Sequence, residues 1–279
     1  MKANVISLEG KKVSEIELPK QFSERIDKEL IKRAVLAIQS AGVQAHSPNV
    51  LAGRDNTAEY IGVRHKPNMH RTINVGHARK PRLRNRRGIL SGHVAGIPAV
   101  VGGPRAHPPK VNKVTEEKIN KKEKAKATAS AIAATADKKL VKERGHVFPD
   151  TIEFPIILDS KFEALGKTKD IRAVLEKINL LQDVERAKDK RSIRAGKGTK
   201  RGRKYKKRKS ILIITGTKNS VFEGARNFEG VDVVVAENVN ADLLAPGAEP
   251  GRLTIWTEDA IKALSKSKKK IKVEAKVVA

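Results

Sequence analysis

The chain has no cysteine among its 279 residues. Disulfides and thiolate metal sites are therefore excluded. Aromatic residues are nearly as scarce: one Trp, two Tyr and six Phe, or 3%. Binding of single-stranded nucleic acid by stacking bases on aromatic platforms needs more of them. No run of 18 apolar residues occurs, so no segment of the sequence reads as a membrane-spanning helix. The N-terminal Met1-Lys2-Ala3-Asn4-Val5 turns polar by Glu9-Gly10-Lys11-Lys12, which predicts no secretory leader. No basic stretch carries Trp, Phe and Leu on one helical face, as a membrane-surface helix would. Acidic residues are outnumbered, with 59 Lys/Arg against 31 Asp/Glu and a net charge of +28.

That excess is concentrated. Residues 46–110 hold twelve Lys/Arg against Asp55 and Glu59, a net of +10. Residues 188–209 hold thirteen against Asp189 alone, a net of +12. Like charge so dense repels itself unless a polyanion neutralises it, and nucleic acid supplies one phosphate per nucleotide. With few aromatics, recognition is expected to run through phosphate, sugar and shape.

Residues 46–110 break every secondary-structure period. They contain seven of the twelve prolines and eight glycines, with Tyr60 the one aromatic. Loops beyond about 12–15 residues are uncommon unless they serve a function. The composition predicts an arm that orders against a partner rather than a plain linker. Each limb of about 32 residues could reach up to roughly 100 Å if fully extended at ~3.3 Å per residue.

The flanking sequence alternates strands and helices. A hairpin is expected over residues 4–18, with Pro19 ending its second strand. A helix is expected over 23–41, capped by Ser23, with Ile26, Leu30, Ala34, Ala37 and Ile38 as its apolar stripe and Gly42 just past its end. Helical character resumes over 112–138, and Gly145-His146 closes that region. A strand follows at Ile152–Leu158 and an amphipathic helix at 168–181. Beyond the second basic run come apolar strands at 211–214, 231–236 and 253–256. Short helices are expected at 219–227 and 240–244, and a closing helix is capped by Thr257. The basic tail Lys266–Lys272 is expected to fray. The predicted fold is α/β: a mostly parallel sheet flanked by helices, with a long non-globular basic internal arm. Residues 1–45 and 111–279 would form the globular domain, 46–110 the arm, and 188–209 a basic loop within the globular part.

Arginine forks bridge phosphate oxygens bidentately, and glycine lets a backbone approach phosphate closely. On that chemistry the RNA-binding candidates in the arm are Arg54, Arg64, His65, Lys66, His70, Arg71, His77, Arg79, Lys80, Arg82, Arg84, Arg86, Arg87, Arg105, His107 and Lys110. Those in the second run are Arg191, Arg194, Lys197, Lys200, Arg201, Arg203, Lys204, Tyr205, Lys206, Lys207 and Arg208. The arm histidines are irregularly spaced and lack metal-ligating neighbours, which favours hydrogen bonding and stacking over metal. The glycines at 196, 198 and 202 fit no nucleotide loop. Arg191 stands where the phosphate-loop pattern needs its first Gly, and Arg201 takes the third glycine of the dinucleotide pattern. No nucleophile elbow occurs. Asp159, Asp170 and Asp183 read as scattered, solvated carboxylates. No catalytic residue, cofactor or metal is expected.

Four motifs carry a family resemblance: Gly102-Gly103-Pro104-Arg105-Ala106-His107-Pro108-Pro109-Lys110, Ala131-Ile132-Ala133-Ala134-Thr135, Gly198-Thr199-Lys200-Arg201-Gly202-Arg203-Lys204-Tyr205 and Pro246-Gly247-Ala248-Glu249-Pro250-Gly251-Arg252-Leu253. In this order they resemble the ribosomal protein L-four family of the large ribosomal subunit, in its archaeal form. The resemblance covers nearly the whole chain. It implies a structural constituent of the large subunit in the cytoplasm. The implied partners are large-subunit ribosomal RNA and neighbouring large-subunit proteins, with no membrane. It further implies that the arm threads RNA, supports assembly, and brings its tip to the nascent peptide in the exit tunnel. Carried over by position, the tip lies around Arg71–Arg87. The implied tip residues are Arg71, Thr72, His77, Arg79, Lys80 and Arg82. Arg64–Asn74 departs from the Gly/Arg-rich sequence expected there. Two rival readings of the residues are an RNA-processing enzyme, which would need a site at the carboxyl ends of the strands, and a free RNA-binding regulator.

Overall fold

The computed structural model describes residues 1–62, 73–74, 76–84 and 88–266. The chain divides into two compact units. One is built from Met1–Gly42 and Glu116–Ala279, the other from Val43–Thr115. The boundary lies within a few residues of the charge-based limits at 46 and 110.

The first unit opens with the expected hairpin, β1 (Lys2–Ile6) and β2 (Lys12–Glu17), paired antiparallel. A 3-10 turn at Lys20–Ser23 follows, then α1 (Lys28–Ala41). The helix begins five residues later than the sequence reading has it. Asp27, not Ser23, is the cap: its carboxylate accepts from the Leu30 N–H at 3.0 Å. Capping needs an oxygen that reaches an orphan N–H of the first turn, and the chain at Ser23 is still a 3-10 turn.

After the second unit come α2 (Lys121–Ala136) and α3 (Lys138–Glu143). Helix therefore starts at 121 rather than 112. β3 (Ile156–Leu158), α4 (Thr168–Lys177) and α5 (Leu181–Asp189) follow. The sequence reading has no α5. Leu181, Val184 and Ala187 recur at three-residue spacing and the last two are buried, but the charge count draws a boundary through the helix at 188. The chain then makes a two-residue ribbon, β4 (Ser192–Ile193) with β5 (Tyr205–Lys206). It closes through β6 (Leu212–Thr215), α6 (Val221–Ala225), β7 (Asp232–Val235), α7 (Ala241–Leu244), β8 (Thr254–Thr257) and helix α8 at 258–266. Thr257 caps α8, its hydroxyl accepting from the Ala260 N–H at 3.2 Å.

The main sheet runs β2-β1-β3-β8-β6-β7, and every pair but β1–β2 is parallel. Parallel strands are covered on both faces and so read as continuous apolar runs. The strand period of two divides these runs cleanly. Ile156, Leu158, Ile211, Ile213 and Ile255 face one core, with residues of α4, α5 and α6. Val5, Ile157, Leu212, Ile214 and Trp256 face the other, with residues of α1, α2, α7 and α8. The result is a three-layer α/β sandwich. Among the described residues no helix is long and apolar enough to cross a membrane.

In the second unit the described residues hold no helix and only isolated bridges, Glu59 with Arg82 and Arg82 with Val94. Among them only Ile61 and Pro104 are buried. Val50, Ile89 and Val101 are all more than nine-tenths exposed. The strongest internal packing is backbone on backbone. Gly53 has φ +79°, and a Cβ on it would lie 2.3 Å from the Pro104 nitrogen, so glycine alone lets the outgoing and returning limbs touch.

Candidate nucleic-acid interface

The 188–209 run forms the last turn of α5, the β4–β5 ribbon and its connecting loop. Ser192 pairs with Lys206 and Ile193 with Tyr205. The Arg194 N–H donates to the Lys204 carbonyl at 2.8 Å and extends the ladder by one step. The loop is closed by backbone bonds: Thr199 donates to the Gly196 carbonyl at 3.3 Å, Arg201 and Arg203 to that of Gly198 at 3.1 and 3.0 Å. The Thr199 hydroxyl is hydrogen-bonded to the Arg194 carbonyl. From Arg191 to Lys209 every residue is exposed except Gly198 and Thr199, which are half-buried. The fixed part of the run is thus its backbone, and its side chains project into solvent.

The cations of the run fall into two groups. Arg191 lies over the Tyr205 ring at 4.2 Å, within cation–π range, and pairs with Glu229 at 3.2 Å. Lys207 reaches the same Glu229 at 4.0 Å, and Lys209 pairs with Asp232 at 2.8 Å. The Arg194 Nε donates to the Arg203 carbonyl at 3.1 Å. Lys204 approaches the Tyr205 ring at 5.6 Å. Lys197, Lys200, Arg201, Arg203, Lys206 and Arg208, like Arg194 and Lys204, have no acidic partner among the described residues. Four of these, Lys197, Lys200, Arg201 and Arg203, lie in the connecting loop, Lys206 lies in β5 and Arg208 beyond it, while the acid-paired cations tie the ribbon's base to β7 and the 229 turn.

In the second unit, Arg54, His77, Arg79, Lys80, Arg105, His107 and Lys110 are exposed. Arg82 and Arg84 are engaged. Arg82 donates to the carbonyls of Gly92 and Ala78 at 2.9 and 3.2 Å, and Arg84 pairs with Glu59 at 2.8 Å. Those two arginines therefore hold the bridged segments 59, 82 and 94 together. Arg105, His107 and Lys110 line a hollow of about 620 Å³ with His46 and Lys113, neither of them singled out from sequence. Arg64, His65, Lys66, His70, Arg71, Thr72, Arg86 and Arg87 lie outside the described residues, as does the tail beyond 266.

The carboxyl ends of the parallel strands are where doubly wound folds place ligands. Here that position is filled by the protein itself. Glu163, 5% exposed, accepts from the Gly216 N–H at 2.8 Å and the Thr257 hydroxyl at 2.5 Å, and is hydrogen-bonded to Asn219. The donors at the ends of β6 and β8 are already satisfied.

Two buried polar networks support the ribbon. Arg252, fully buried, pairs with Asp232 at 2.6 Å and donates to the carbonyls of Ser210, Leu243 and Gly230 at 2.9, 2.9 and 3.2 Å. Burial works against the Asp232 carboxylate, but Arg252 and Lys209 overcome it and hold its carboxyl below the usual range. Asp183, expected to be solvated, is fully buried. It accepts from the Val147 N–H at 3.0 Å, Arg186 at 2.8 Å and His146 Nδ1 at 3.0 Å. Burial pushes His146 below its ordinary value, with Asp183 restoring only part, so the ring is neutral at pH 7 and donates its Nδ1–H. Arg186 also donates to the Lys209 carbonyl at 3.1 Å, which fixes where the ribbon rejoins the sheet.

A profile of the Ribosomal protein L4/L1 family matches residues 16–267. The chain is 48% identical over 264 residues to the large ribosomal subunit protein uL4 of Methanocaldococcus jannaschii, covering 95% of this chain and 98% of that one. It is 45% identical over 265 residues to the uL4 of Archaeoglobus fulgidus, with the same coverages. With the uL4 of Methanoculleus marisnigri it shares 46% over 264 residues. A match over nine-tenths of the sequence, on an α/β sandwich bearing two basic excursions, shows that the chain belongs to the Ribosomal protein L4/L1 family.

Proposed function

We propose that the protein is a structural constituent of the large ribosomal subunit, at work in the cytoplasm, whose two basic excursions bind large-subunit ribosomal RNA. Its role is structural rather than enzymatic. The observation that carries the RNA reading is the ribbon loop. Lys197, Lys200, Arg201 and Arg203, exposed and without acidic partners among the described residues, stand on a backbone that is internally hydrogen-bonded, so binding need not first order the loop. Phosphates would replace the missing counter-charge, releasing condensed ions in the process. The second unit adds Arg54, Arg79, Lys80 and Arg105 as further exposed cations, on segments with almost no apolar core of their own. We read it as an arm that lies among RNA backbones during assembly, with its tip toward the nascent peptide in the exit tunnel and neighbouring large-subunit proteins around it.

The test is binding of a large-subunit ribosomal RNA transcript to the purified chain across a potassium chloride series. Replacing Lys200, Arg201 and Arg203 by Ala should reduce the slope of log affinity against log salt by about one for each phosphate no longer neutralised. Melting temperature should be unchanged. A triple variant with the wild-type slope would remove the ribbon from the interface. Cosedimentation with large subunits through a high-salt cushion checks the assembly reading, and a protein that stays in the light fractions would refute it.

A further inference from the structure

A second cationic surface lies in the first unit, mostly on residues the sequence reading does not select. It is a cleft of about 1050 Å³ between the end of α3, the last turn of α5, the exit of the ribbon and the 246–250 segment. Arg144, Arg186, Lys190, Lys207 and Arg208 line it, with Lys28 from the start of α1. The two acids on its walls are Glu143 and Glu249, and neither pairs with a cation among the described residues. Asp183 and Asp232, just behind, are already taken by Arg186 and Arg252. The cleft therefore keeps an excess of positive charge.

Arg144 is its most unusual group. One end of its guanidinium donates to the Pro246 carbonyl at 2.5 Å, while its Nη1 is buried with no hydrogen-bond partner. Burial, reinforced by Arg252 and Arg186 and opposed by Glu249, lowers it to about 10. A buried donor left unmade is costly, and a guanidinium crowded by two others is more so. The backbone holds it there nonetheless. Gly251, at φ +91°, would place a Cβ 2.7 Å from the Leu140 carbonyl, so the 246–251 segment is pressed against the end of α3 that carries Arg144. A held, under-satisfied guanidinium on the wall of a cationic cleft favours an oxyanion over a neutral ligand.

We infer that this cleft is a phosphate-binding site for RNA, separate from the ribbon loop, in which Arg144, with the exposed Lys190, Lys207 and Arg208 beside it, takes backbone phosphates of a structured ribosomal RNA segment. The inference rests on the RNA reading of the ribbon. Continuity favours RNA over an acidic protein tail: Lys207 and Arg208 belong both to the cleft and to the strand leaving the ribbon. A backbone following the ribbon runs on into the cleft. Arginine forks also match phosphate bidentately.

The probe is the large-subunit ribosomal RNA transcript, with full-length chain, and the variants are Arg144→Gln, Arg144→Lys and the ribbon triple alanine. Arg144→Gln should weaken binding about tenfold, lower the salt slope by about one and erase a patch of hydroxyl-radical protection that the ribbon variant leaves intact. Arg144→Lys keeps the charge without the fork. It should weaken binding severalfold at an unchanged melting temperature, which carries the test should the Gln variant fold poorly. Wild-type affinity, slope and footprint in Arg144→Lys and Arg144→Gln, beside a weakened ribbon variant, overturn the cleft and leave the ribbon reading standing. If wild-type protein fails to bind the transcript, both fall. Inorganic phosphate, or poly-glutamate, that protects the cleft against Arg144-dependent melting while RNA does not would overturn it in favour of a free anion or an acidic peptide.

Discussion

At the residue scale, the polar groups buried under the ribbon decide its position, and their titration is readable. His146 is held neutral by burial, so its folded-state value lies below the unfolded value near 6.5. As pH falls through 6.5 the unfolded chain takes up a proton that the folded chain refuses. Stability is then lost with falling pH until the folded value is passed. Asp183 and Asp232 are held below the ordinary carboxylate range. Their contribution is present above the unfolded value near 3.9 and is lost as pH falls through their lower folded values. Urea unfolding at pH 7.5 and 5.5 should therefore show a loss in wild type that His146→Gln largely lacks; equal losses in the two would mean the ring is not buried neutral. Arg252→Met should cost about 1–3 kcal/mol, because it leaves buried carbonyls of Ser210, Leu243 and Gly230 without their donor, while Asp232 keeps Lys209. A loss under about 1 kcal/mol in urea titration would contradict the network.

At the scale of elements, the sheet was legible because parallel strands must be apolar on both faces. Ile211–Ile214 and Leu253–Trp256 announce themselves as short continuous runs, and the structure pairs β6 with β8 directly. The closing helix was legible from Thr257 for an equally local reason, a hydroxyl positioned for the Ala260 N–H. Where the reading failed, a longer-range term won. Ser23 has a cap's chemistry, but Phe22 is buried edge-on against Trp256 at 5.2 Å in a 3-10 turn, so helix begins only at Asp27. Helix α5 was hidden by the charge block that overlaps its end. Of the basic candidates, exposure at the ribbon loop followed from density of like charge. That Arg82 and Arg84 are engaged within the second unit could not be read off, because their partners Gly92 and Glu59 are 10 and 25 positions away. Arg144 was invisible for the same reason, since its cleft is assembled from five separate segments. The ribbon itself depends on Arg191 stacked on Tyr205. Tyr205→Phe should preserve RNA affinity, and Tyr205→Ala should lower it severalfold by releasing Arg191; equal affinities of the Phe and Ala variants would show that the stacking is incidental.

At the scale of the whole molecule, the two units differ in what holds them together, and the difference has a direct test. The first unit has two apolar cores on either side of a six-stranded sheet. The second has two buried residues among those described and a scatter of fully exposed aliphatics. The chain leaves the first unit after Gly42 and re-enters at Glu116. Those ends already meet: the Glu117 N–H donates to the Ser40 hydroxyl at 3.0 Å. A short Gly/Ser linker can therefore replace residues 43–115 without pulling α1 away from the segment before α2. A shorter closed loop also costs less entropy, though only by about (3/2)RT times the logarithm of the length ratio. The excised protein should melt within a few degrees of wild type and keep the His146 acid response. If the second unit acts as an RNA-lying arm, the same protein should bind ribosomal RNA transcript with a smaller salt slope and enter large subunits poorly. Unfolding of the excised chain would mean that the arm completes the core. Normal entry into subunits, by contrast, would leave residues 43–115 without the assembly role that their charge implies.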